Sequence, residues 1–175
     1  GLYIPEQLPQ APVAYDASYS RFASKVLAPF VADSELEPSL AHICEQAFNF
    51  DIPLISWGKS AWYLELFHGP SASFKDVGAR FLAHVIASLP VNKPRLLLVA
   101  TSGDTGSAVA AGFFRQPNIR VVILYPRAGV SQRQAHQLSC WGENVTTLAL
   151  DDCFDTCQRL VKASFSEPSI HERYQ

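Results

Sequence analysis

Two short stretches carry the side chains best suited to chemistry. The first is "LFHGPSASFKD", Leu66 to Asp76, in which Lys75 sits among small and aromatic residues at the expected start of a helix. Cations favour the other end of a helix, and an amine is a nucleophile or base only when unprotonated. Lys75 is therefore either a solvated charge or an amine held for chemistry. His68, just before Gly69 and Pro70, reads either as a polar contact in a pocket or as a strand-end hydrogen-bond donor. The second stretch is "TSGDTG", Thr101 to Gly106. It offers backbone amides and hydroxyls of Ser102, Gly103, Asp104 and Thr105 at the positive end of a helix dipole, an arrangement that binds carboxylates and phosphates. The plainer reading is a strand-to-helix loop capped by Asp104 or Thr105.

Other chemistries fail on spacing. GxGxxG is absent, and Gly58-Lys59-Ser60 follows Pro53 where a phosphate loop requires glycine. Ala72, three before Lys75, rules out a Ser-x-x-Lys pair. His136, Cys140, Cys153 and Cys157 superficially resemble a four-ligand zinc spacing. The expected elements nevertheless put His136 on one helix and Cys153 and Cys157 on the next, so no metal site is expected. The four cysteines form no CxxC and read as reduced, small hydrophobes.

These residues need positioning elements. An apolar run from Leu96 to Ala100 leads into the second stretch and out along an alanine-rich helix, the pattern of a strand buried on both faces of a parallel sheet. The unit repeats as strand 120–125, helix 131–138, strand 144–150 and helix 154–165, so 63–175 is expected to be an α/β domain with a parallel sheet and flanking helices. Val77, Phe81, His84, Val85, Ser88 and Leu89 are expected on one face of the helix after Lys75. Residues 1–62 read as a proline-rich arm over 1–15, then a small helical region. Phe22, Val26 and Phe30 mark its first helix, interrupted by Pro29, and Leu40, Ile43, Cys44, Ala47 and Phe48 its second.

The composition, 48% hydrophobic and 17% charged, is that of a globular chain, and a net charge of −2 without a basic run argues against nucleic acid. No apolar run approaches the roughly 18 residues of a transmembrane helix. The sequon Asn144-Val145-Thr146 would matter only in a secreted protein. Because the chain begins with Gly1 and has no Met, it reads as a piece of a longer protein or as a sequence lacking modified methionines.

Together these stretches resemble the threonine synthases, fold-type II pyridoxal-phosphate enzymes. "ELFHGPSASFKD" is similar to that family's "ELFHGPT-x-x-FKD", with Lys75 where the family's lysine forms a Schiff base with the cofactor. "TSGDTGSAVA" is similar to "TSGDTG-x-AVA", and "VVILYPRAGVSQRQAHQL" to "VVILYP-x-G-x-VS-x-x-Q". The opening "GLYIPEQLP" is similar to the family's near-N-terminal arm. Ser71 replaces a usual Thr and keeps its hydroxyl, while Ala128-Gly129 alter one turn.

The resemblance covers the whole chain but only about the first two fifths of such an enzyme. It implies a tryptophan-synthase-β-like fold, pyridoxal phosphate as cofactor, and conversion of O-phospho-L-homoserine and water to L-threonine and phosphate in the cytoplasm, by a monomer or homodimer. It implies Lys75 as catalytic and cofactor-holding, Asp104 as a cofactor contact, and Ser102, Gly103, Asp104, Thr105, His68 and Ser71 as substrate contacts. Asp104 stands where dehydratase and sulfhydrylase relatives carry Asn. The alternatives are another fold-type II lyase, such as a threonine or serine dehydratase, and a catalytically silent ligand-binding relative. The family's later glycine-rich phosphate loop lies beyond Gln175, so the isolated piece is expected to lack turnover.

Overall fold

Strand β4 (Ile119–Pro126) shows how the sheet is built, because its two faces feed two different cores. Ile119, Val121, Ile123 and Tyr125 point one way and pack with Ala83, Ala110, Phe113 and Leu138. Leu124 points the other way, against Cys157 and Val161, with Val122 partly buried beside it. The period of two along a strand makes that division, and an unbroken apolar run serves both faces. β4 pairs in parallel with β3 (Arg95–Ala100) on one side and β5 (Val145–Leu150) on the other, Leu97 lying opposite Val121 and Val121 opposite Val145. The computed structural model describes residues 4–9, 16 and 18–174.

Helices cover both faces. α3 (Lys75–Ser88), α4 (Asp104–Phe113) and α5 (Gln132–Ser139) lie on the Ile123 side, and α6 (Phe154–Ser164) on the Leu124 side. A short α7 (Pro168–Arg173) follows. Alanine and glycine in α4 allow close helix packing: a Cβ on Gly112 would stand 3.1 Å from the Ala79 carbonyl carbon of α3. The carboxamide of Asn144 donates to the carbonyls of Phe113 and Ile119 and accepts from the Arg115 amide, so the sequon asparagine ties the end of α4 to the strands.

The expected parallel α/β layer and helical N-terminal region are both present. α1 (Tyr19–Val31) contains Pro29 in its last turn, and α2 (Leu40–Ala47) buries Leu40, Ile43, Cys44 and Ala47 as its periodicity predicts. Phe48 stacks on Phe81 of α3 with ring centroids 6.0 Å apart, joining the helical region to the α/β layer. The arm expected over 1–15 lies largely outside the described residues; Ile4 to Pro9 are exposed and in no helix or strand.

Three details differ from the reading of the sequence. β3 is half-buried along its length, because it sits at the edge of the three described strands. α3 divides its apolar residues, with Val77 and Phe81 against α1 and α2, and Ala83, Ile86 and Ala87 against the sheet side. Periodicity places residues on a helix but does not name the neighbour each one meets. An antiparallel hairpin, β1 (Leu54–Trp57) with β2 (Ala61–Leu64), was not expected. Its tip is the Gly58-Lys59-Ser60 triplet, with Gly58 at φ +70, a region glycine enters at little cost.

Candidate active site

The chain leaves β2 through Glu65 to Pro70 and tightens before α3. Asp76, fully buried in the first turn of α3, organises this loop: the Ser71 amide donates to its Oδ2 at 2.9 Å and the Ser71 hydroxyl to its Oδ1 at 2.8 Å. Gly69 must lack a side chain, since a Cβ there would meet Asp76 Oδ2 at 2.6 Å. The Ala72 amide donates to the Gly69 carbonyl, and Ala72 takes φ +54, a left-handed conformation uncommon outside glycine. The Lys75 amide donates to Ser73 Oγ, two residues earlier, at 3.3 Å.

This packing leaves the Lys75 side chain half-buried with its Nζ 4.4 Å from the centroid of the Phe74 ring. Among the described residues no carboxylate lies within ion-pairing distance of it. Its charge rests on an aromatic face instead, a contact worth roughly 0.5–1 kcal/mol when exposed. Arg80, one turn further on, donates to the carbonyls of Ala47 and Gln46 and to Asn49 Oδ1, fastening α3 to the end of α2. Burial pulls its guanidinium below the ordinary value, and the Asp76 charge opposes that.

At the other stretch, the buried Thr101 is the organiser. Its Oγ1 accepts from the Gly103 amide at 3.1 Å and the Gly106 amide at 3.0 Å. A Cβ on Gly106 would strike Thr101 Cγ2 at 2.4 Å. Among the described residues, the amides of Ser102, Asp104 and Thr105 find no hydrogen-bond partner, so three donors remain at the start of α4. Asp104 Oδ1 accepts from Gln134 Nε2 of α5 at 3.2 Å.

The two stretches meet. A cleft of about 380 Å³ is lined by Leu64 at the end of β2, by Leu66, Phe67, Ala72, Ser73 and Phe74 from the loop before Lys75, and by Asp104 from the start of α4. Lys75 follows Phe74 in the chain and does not itself line the cleft; its Nζ lies over the Phe74 ring. Ser102, Gly103 and Thr105 flank Asp104 without lining the cleft. Ser71 is buried with its hydroxyl given to Asp76, and exposed His68 pairs with Glu65 Oε2 at 2.7 Å, its ring against Phe67, outside the lining. A second cavity, about 300 Å³, is walled mainly by apolar residues of α1 and α3, including Phe22, Leu27 and Phe81, and by Phe48 just after α2. His136, on α5, and Cys157, on α6, lie on opposite faces of the sheet.

Three organising residues carry no site role in the sequence reading: Thr101, Asp76 and Gln134. Only the last has a legible local signal, the Ser131-x-x-Gln134 capping box, in which Ser131 Oγ accepts from the Gln134 amide while Gln134 Oε1 accepts from the Ser131 amide.

The chain is similar to known proteins in sequence and fold. The chain is 38% identical to threonine synthase of Escherichia coli over 97% of its own length and 41% of that protein's, and 31% identical to the Schizosaccharomyces pombe threonine synthase over 99% and 38%. It is similar to the solved pyridoxal-phosphate-bound threonine synthase of Brucella melitensis, with a TM-score of 0.87 and 32% identity over 95% of this chain and 39% of that one. The chain thus spans about two fifths of the length of these relatives. Residues 53–172, most of the chain and all of the cleft, match the family described as pyridoxal-phosphate dependent enzyme, and the chain belongs to that family.

Proposed function

We propose that this chain is part of a threonine synthase, acting on O-phospho-L-homoserine and water to give L-threonine and phosphate, with Lys75 as its cofactor-holding and catalytic residue. The observation that supports this reading is the cleft: the loop that leads into Lys75, through Ala72, Ser73 and Phe74, faces Asp104 of the "TSGDTG" turn, about thirty positions away in the chain.

The residues present fit pyridoxal phosphate. Among the described residues Lys75 Nζ has no carboxylate partner, as suits an amine held for covalent chemistry, and the unpaired amides at the start of α4 suit an anion. When bound, the cofactor supplies an electron sink for negative charge developing on the substrate carbons. The chain's own residues do the rest. Lys75 Nζ would hold the cofactor and then move protons at Cα and Cβ of the substrate. The amides of Ser102, Asp104 and Thr105, with Gly103 allowing close approach, would bind the substrate carboxylate, and Asp104 would serve as a cofactor contact from the cleft wall. Phe67 and Phe74 supply an apolar wall to the cleft. Ser71 and His68, which the resemblance also implies as substrate contacts, stand outside the cleft lining; Ser71 serves the site by holding Asp76, and His68 pairs with Glu65 at the loop entrance.

A cytoplasmic location and a monomer or homodimer acting on this small molecule belong to the same reading. Among the described residues no helix is long and apolar enough to cross a membrane.

The decisive experiment is borohydride reduction of the full-length holo protein, followed by peptide mapping. A pyridoxyl adduct on the Lys75 peptide is expected, and Lys75→Ala should lose it together with at least about a thousandfold in kcat, the scale of removing a covalent and proton-transfer group. An adduct on a peptide without Lys75 refutes the assignment. Turnover of threonine in preference to O-phospho-L-homoserine would move the protein to the dehydratases.

A further inference from the structure

The carbonyl oxygen of the Gln134 side chain accepts from the Ser131 amide at 3.0 Å and from the Ser131 hydroxyl at 3.1 Å. A backbone N–H can only donate, which fixes the amide orientation: Gln134 Oε1 faces Ser131, and Nε2 faces Asp104 Oδ1 at 3.2 Å. The same Nε2 stands 2.5 Å from where a Cβ on Gly103 would be, so the glycine leaves the space through which Gln134 reaches the turn. Asp104 itself sits beside unpaired amides. A carboxylate on the first residue of α4 can turn back onto neighbouring backbone donors and would then compete with any anion arriving from solvent. Among the described residues, it accepts from Gln134 and from none of those amides.

We propose that Gln134 is a positioning residue that holds the Asp104 carboxylate toward α5, so that the amides of Ser102, Asp104 and Thr105 stay open to the substrate carboxylate. The proposal rests on the function proposed above for the same cleft. It gives the "VS-x-x-Q" stretch, Val130 to Gln134, two tasks: the carbonyl of Gln134 caps α5 and its NH2 group sets the neighbouring turn.

Gln134→Glu separates the two tasks, because a glutamate still accepts from the Ser131 amide in an ordinary capping box but presents an acceptor to Asp104. In the full-length holo protein the expected result is a Tm within about 2 °C of wild type, with KM for O-phospho-L-homoserine raised roughly tenfold and kcat changed less than about threefold, the scale of one lost charge-assisted hydrogen bond. Its crystal structure should have the Asp104 carboxylate turned away from position 134. Adding Asp104→Asn supplies a donor to the new glutamate and should bring KM back to that of Asp104→Asn alone. Ser131→Ala should lower Tm and leave KM in place. An unchanged KM with Asp104 still against residue 134 overturns the proposal, as does a Ser131→Ala variant whose KM rises as much as that of Gln134→Glu. If the wild-type holo protein makes no threonine, the functional reading fails, and the position of Asp104 in the Gln134→Glu crystal structure still decides the clamp.

Discussion

Asp76 does for the loop before Lys75 what Thr101 does for the turn before α4: one buried oxygen-bearing side chain gathers local amides and hydroxyls and fixes the backbone around them. Leaving a buried donor unsatisfied costs about 1–3 kcal/mol. Asp76→Ala should therefore destabilise the full-length protein by about 2–3 kcal/mol in urea unfolding, whereas Asp76→Asn, which keeps an oxygen for the Ser71 amide, should lose about half of that. Equal losses in the two variants would mean that volume, not hydrogen bonding, holds the loop. At this scale Lys75 was legible as a lysine at an awkward helix start. Asp76 was not, because a first-turn acid usually faces solvent and favours the helix dipole there. Its burial follows from the bend at Gly69, where Asp76 occupies the space of the missing Cβ.

A cluster of charged side chains holds the start of α1. α1 begins under Asp16, whose carboxylate accepts from the Ser18 amide at 3.0 Å, Lys25 Nζ at 2.9 Å and Arg21 Nε at 3.1 Å. The Ser18 amide, then Lys25, bring its pKa down to about 2. The folded-state value lies below the 3.8 of an ordinary aspartate, so the linkage is fully present above pH 4 and is lost as pH falls toward 2. Asp16→Asn should remove the part of the acid-induced loss that falls between pH 4 and 2; a variant whose stability follows wild type through that window would place the acid sensitivity elsewhere. The short α7 went unread, while the parallel strands and helices α5 and α6 were readable from period and composition to within a residue or two. The β1–β2 hairpin was not, because Leu54 to Trp57 and Ala61 to Leu64 are exposed on both faces and carry no alternation for a period-two reading to detect.

At the scale of the whole molecule, the cleft is formed by two segments that the chain brings together through packing alone. Gly112 lets α4 approach Ala79 of α3, which sets the start of α4 against the loop that begins α3. Because the chain spans about two fifths of its relatives, residues 1–175 expressed alone are expected to form no threonine from O-phospho-L-homoserine; measurable turnover by the isolated piece would overturn that expectation. The sequence by itself determined the parallel α/β layer, the helical region before it, and the residue types of both stretches. It did so because period, glycine placement and motif spacing are local properties of a chain. Only the tertiary structure decided that Asp104 rather than His68 lines the cleft with Phe74, that Ser71 gives its hydroxyl to Asp76, and that Gln134 reaches through the gap at Gly103. Those are contacts between segments distant in sequence or turned by the fold, and their geometry depends on how α3, α4 and α5 pack, which no local pattern encodes.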